Sequence, residues 1–140
     1  FDSSLRRGQD YDYWLRVSQL TKIVKLATVL SFYRIHDESI TRQVPTVNYE
    51  YNVLTKTLSN FGFNDQQGHS VKKSLVDKRL ANSWTGGFCW PNYRAHNYNR
   101  VLTGSLYAIK YCPFWYVGWV YFIRSIWKLM LGVIVVRKSE

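Results

Sequence analysis

Two stretches, RGQDYDYWLR (residues 7–16) and SFYRIHDESIT (residues 31–41), decide how this chain reads. In the first, Gly8 precedes an acidic residue, and Tyr11, Trp14 and Leu15 recur at helical spacing, which predicts a helix over about residues 9–19. In the second, and in the KIVKLA run (22–27) before it, β-branched and aromatic residues crowd together. They predict two short strands, or one bent strand, over 22–27 and 29–35. Alternation sets Leu30, Phe32, Arg34 and His36 on one face, so a cation and an imidazole leave the strand on the same side.

In order and spacing these stretches resemble the second half of the catalytic domain of family 2 glycosyltransferases. There, a pattern close to FDxxLxxxEDYDLWLR is followed by a short strand pair ending in YRxH. The matching residues are Phe1, Asp2, Leu5, Asp10, Tyr11, Asp12, Trp14, Leu15 and Arg16, then Tyr33, Arg34 and His36. The likeness covers about the first third of the chain. It implies an α/β fold, the C-terminal fragment of a GT-A (nucleotide-diphospho-sugar transferase) fold, mostly α in this chain with one or two short strands. Because the chain begins inside the motif, with Phe1, the expectation is a fragment whose nucleotide-reading half lies upstream.

By position alone, Asp10 reads as a helix cap, since a carboxylate at a helix N-terminus is stabilised by about 0.3–1 kcal/mol. The resemblance gives it a second role, the general base that takes the acceptor's hydroxyl proton. A carboxylate with a pKa near ~4 cannot ionise a sugar alcohol beforehand, so it accepts the proton only as the new bond forms. Gln9 stands where relatives commonly carry Glu, which removes one charge from the implied acceptor-binding position. Asp12 is two residues on, about 200° around a helix, and its expected partner is Arg16 at i,i+4. Asp10-Tyr11-Asp12 also spells DxD, but that metal-nucleotide signature belongs at a strand end rather than within a helix. A lone His36 is most simply a surface histidine. The resemblance implies instead that it ligates a divalent cation (Mg or Mn) on the donor diphosphate, with Arg34 near the phosphates. A neighbouring Arg disfavours imidazolium and leaves the neutral ring a metal needs. Arg34 reads equally well as a strand-edge ion pair.

The 140 residues amount to about one domain. Nineteen Lys and Arg against nine Asp and Glu, a formal charge of +10, favour anionic partners: sugar nucleotides, anionic lipid or nucleic acid. Many of the Trp and Tyr fall in the C-terminal half, which points toward lipid and makes nucleic acid the less expected partner. Cys89 and Cys112 form neither a CxxC nor a regular framework, so a disulfide scaffold is not expected and a reducing compartment fits.

Beyond residue 44 the pattern turns helical. Apolar spacing predicts helices over 48–61, stopped by Gly62, over 70–84, and over 96–111, with Gly86, Gly87 and Pro91 marking a turn-rich break. The organisation expected is catalytic-domain remainder (1–44), helical extension (45–112) and a final amphipathic helix (113–140). In that helix Tyr121, Arg124, Ser125, Lys128 and Gly132 form a narrow polar stripe, suited to lying in a lipid interface with its cations toward headgroups. Packing on the protein body and spanning the bilayer are the alternatives. Arg124 and Lys128 near mid-bilayer would each cost a span about 2.5–3.5 kcal/mol.

The implied activity is an inverting, metal-dependent glycosyl transfer. It moves a sugar from a nucleotide-sugar donor to an acceptor hydroxyl on a glycan or lipid-linked acceptor, at the cytoplasmic, inner face of the cell membrane. The competing expectation is a non-catalytic basic helical module on anionic membrane or nucleic acid.

Overall fold

The computed structural model describes residues 1–32, 39–40, 43–64 and 67–137, with side chains as far as Leu131 in the last helix. Its helices are α1 (Gln9–Ser18), α2 (Tyr49–Phe61), α3 (Lys73–Asn82), α4 (Trp90–Arg94), α5 (Tyr98–Tyr111) and α6 (Tyr116–Arg137), with a π-helical segment, Ser83–Cys89, joining α3 to α4. The only β pairing among the described residues is an isolated antiparallel bridge between Asn64 and Ser70. The expected α/β class is therefore corrected: the described chain is all-helical.

The predicted strands fail for a physical reason. Strand propensity expresses packing and pairing with neighbouring strands, and no described segment pairs with residues 22–32 as a strand. They form no regular structure, and Val24, Val29, Leu30 and Phe32 are exposed, Phe32 at 96%. Residues 33–35, the end of the second predicted strand, lie outside the described residues.

The helices follow local signals more faithfully. Gly8 caps α1 in the left-handed region (φ 79°), where a side chain would be strained. A Cβ there would also meet Val53 of α2 at 3.3 Å. Asn48 caps α2, its side chain accepting from the Tyr51 amide at 3.0 Å, and Gly62 ends that helix as expected. The expected break at Gly86, Gly87 and Pro91 is a second correction, because the chain stays helical through it as the π segment and α4. Gly87 serves close approach rather than a turn: a Cβ there would lie 2.9 Å from Glu50 Oε2. Pro91 falls in the first turn of α4, directly after the π segment. The reversal into α5 is made at His96, with φ 60°.

The core lies among α2, α3, the π segment and α5. Ala81, Trp84, Phe88 and Ala108 are buried together, flanked by Tyr51, Tyr111, Cys112 and Trp115. Trp84 stacks on Tyr107 with ring centres 4.5 Å apart, and it also meets the Tyr51 and Phe88 rings at 5.1 and 5.2 Å. α6 lies along α5 through small residues, with Gly118 against Ile109 and Ala108. α1 joins the body through α2. No helix among the described residues is long and apolar enough to cross a membrane.

Candidate active site

α1 presents its two carboxylates to different surroundings, as the sequence suggests. Asp12 is buried and works as a strut. Arg16 donates to its Oδ2 at 3.0 Å, the expected i,i+4 pair, while Lys56 of α2 reaches its Oδ1 at 3.4 Å and also binds Asp2. One lysine thus ties the N-terminal residues, α1 and α2 together. That contact joins residues 44 positions apart, which no local pattern announces. The Lys56 ammonium, then the Ser4 hydroxyl and amide, hold the Asp2 carboxyl far below the usual carboxylate range. Lys56 itself is held above its ordinary value, chiefly by Asp2.

Asp10 is exposed. It lines a hollow of about 300 Å³ together with Phe1, Arg6, Arg7, Gly8, Gln9 and Ile40. The Tyr11 amide donates to Asp10 Oδ1 at 2.8 Å, which fixes the carboxylate on the first turn. Gln9 is part-buried and its Nε2 donates to the Leu5 carbonyl at 2.7 Å, so its amide nitrogen is committed to the preceding loop. Ile40 comes from the polar stretch of the second motif, and the chain beyond it is held in place by Arg7. Arg7 Nη2 donates to Gln43 Oε1 at 2.8 Å, and its guanidinium lies 5.3 Å from the centre of the Tyr49 ring. Ile40, 24 positions after Arg16 in the sequence, therefore stands at the front of α1.

Arg34 and His36, the implied phosphate contact and metal ligand, lie outside the described residues. Among the described residues no group of three His, Cys, Asp or Glu side chains could hold a metal ion. The expected divalent cation therefore has no described set of ligands to fit. Arg6 is the residue that sequence reasoning missed: an exposed guanidinium on the rim of the hollow, beside Asp10. Its signal was the Arg6-Arg7 pair directly before Gly8, of which Arg7 is taken up structurally.

A second, wholly different hollow of about 250 Å³ opens between α1, α2 and α3. Its lining is apolar, with Leu15, Leu54, Leu58, Leu75 and Leu80 among the contributors. Leu75 and Val71 line it and are exposed. Arg79 closes one side through Glu50 at 2.5 Å and the Tyr11 hydroxyl at 3.3 Å. This hollow holds no carboxylate or nucleophile suited to chemistry. No family model, no curated protein and no solved structure matches this chain.

Proposed function

We propose that this chain carries the acceptor-side machinery of an inverting glycosyl transfer, with Asp10 as the base. The observation that supports it is an exposed carboxylate, Asp10, fixed on the wall of a hollow that Ile40 of the second stretch also lines. In the step, the acceptor oxygen attacks the anomeric carbon of a nucleotide sugar. The bond from that carbon to the diphosphate oxygen breaks, and the nucleoside diphosphate leaves with the electron pair. The acceptor's proton passes to Asp10. Oδ1 is already engaged by the Tyr11 amide, so Oδ2 receives it. Proton transfer of this kind is concerted with bond formation and is sensitive to reach and orientation. Arg6, on the same rim, supplies positive charge where a departing diphosphate is anionic.

The test is Asp10→Asn in the complete enzyme, with the expected nucleotide-reading half present, assayed with UDP-, GDP- and dTDP-linked hexoses. The expected result is a loss of turnover of about 10²–10⁴-fold, with donor affinity unchanged. Turnover equal to wild type rejects Asp10 as the base. A steep fall of nucleic-acid affinity with salt, without sugar-nucleotide turnover, replaces the reading with the non-catalytic basic module.

A further inference from the structure

The placement of α6 departs from its sequence pattern in one respect. The polar stripe is divided: Ser125 is buried, its hydroxyl donating to the Tyr121 carbonyl at 2.6 Å, and Tyr121 lies against Tyr93. Together with Gly118, these residues form the seam toward the body. The large apolar side chains face the other way. Trp119, Ile123, Trp127 and Met130 are exposed, Ile123 and Trp127 at 63% each, and Tyr116, Ile126 and Leu131 complete the arc. At 100° per residue this outward face spans about 140° without a charged group. Arg124 and Lys128, both exposed, stand along one edge of it. Arg100 lies near the other, sharing a hollow with Leu129.

We infer that this outward face of α6 docks on an anionic lipid surface. Charge complementarity selects the occupant. Between Asp77 and Glu140 the sequence has no acidic residue, while nine of its 19 Lys and Arg fall there. A protein partner of mixed charge would leave Arg124 and Lys128 unmatched at the rim, whereas anionic headgroups pair with both. Trp119 and Trp127 have the amphipathic rings that favour the headgroup level, and the cations flank the apolar arc so that it can enter the acyl boundary while they remain among the phosphates. Small residues facing the body and large apolar ones facing outward suit a helix between protein and lipid. The inference does not depend on the proposed transfer reaction, and its test uses no sugar nucleotide.

The whole chain is mixed with vesicles of phosphatidylcholine, with and without phosphatidylglycerol, and sedimented. Binding is expected only with phosphatidylglycerol present. The pair Arg124→Gln and Lys128→Gln should weaken it about 30-fold, and the pair Ile123→Ala and Trp127→Ala roughly ten-fold or more. All four positions are exposed, and an unchanged far-UV helix signal establishes that the variants fold. As a measurement on the otherwise intact surface, lipid brominated in its acyl chain should quench tryptophan emission, and Trp127→Phe should remove part of that quenching. Equal binding to pure phosphatidylcholine, or binding that survives both pairs of substitutions, overturns the proposal. So does a dimer in sedimentation equilibrium that Trp127→Ala dissociates without any vesicle binding, which would give the face to a second copy of the chain.

Discussion

Tyr51 shows how much one side chain can couple. It rises from the first turn of α2, packs on Trp84 and shares a 2.6 Å hydrogen bond with the Tyr111 hydroxyl at the end of α5. Burial, and then the bond to Tyr111, push its phenol up to about 12. A tyrosine in the unfolded chain ionises near ~10, so the folded chain holds this proton more tightly. The resulting stability is complete below about pH 10 and is lost as pH rises from there through the folded value. Thermal melting followed across that interval should therefore show wild type declining more steeply than Tyr51→Phe. Parallel declines would mean the phenol is not linked to folding. Asp12 and Asp10 make the complementary case, in which the same residue type, two positions apart, is a buried strut once and an exposed hollow-lining carboxylate once. The difference comes from Lys56 on another helix.

At the scale of elements, the seams are built by small residues. Gly104 of α5 lies so close to the π segment that a Cβ would stand 2.7 Å from Cys89 Sγ and 2.8 Å from Phe88 Cδ1. Alanine in place of a helical glycine ordinarily gains about 0.8–1 kcal/mol. Overpacking of a filled core costs about 1–3 kcal/mol, and here both obstructing atoms belong to buried residues. The clash should win, so Gly104→Ala is expected to lower stability by about 1 kcal/mol or more in denaturant melts; a stabilised variant would show that α5 can move off the π segment freely. Cys89, at that seam, has its thiol pushed up to about 12 by burial, so it is a packing residue and not a reactive one. The π segment places Trp84 and Phe88 in the same core, with ring centres 5.2 Å apart.

Across the whole molecule, order is unevenly distributed. The buried aromatic cluster ties α2, α3, the π segment and α5 together, while α1 is fastened to α2 by the Gly8–Val53 contact and the Asp12–Lys56 pair. Residues 21–30 have no regular structure and are exposed. Amide hydrogen exchange should follow that gradient: slowest in the π segment and mid-α5, at least about ten-fold faster in α1, and close to unprotected over 21–30. Exchange in α1 as slow as in α5 would show the two ends of the chain opening as one unit. The face of the molecule that carries the hollow around Asp10 is thus the less firmly held one.

Sequence alone determined the features that depend on neighbours within a few residues. These are the helix from Gln9 with glycine before it, the Asp12–Arg16 pair, the helix over 48–61 with its stop at Gly62, and the place of Asp10 in a helix's first turn. It misread what depends on distant partners. β-Branched runs at 22–35 suggested strands, yet a strand exists only where another segment completes its hydrogen bonds, and none described here does. Two glycines and a proline suggested a break where close packing against Glu50 required a helix. Only the tertiary structure decided that Lys56 would neutralise Asp12, that Ile40 would return to the front of Asp10, and that α6 would turn its serine inward and its tryptophans out. Each is set by long-range burial and charge pairing, whose energy belongs to the assembled chain and leaves no local periodicity to read.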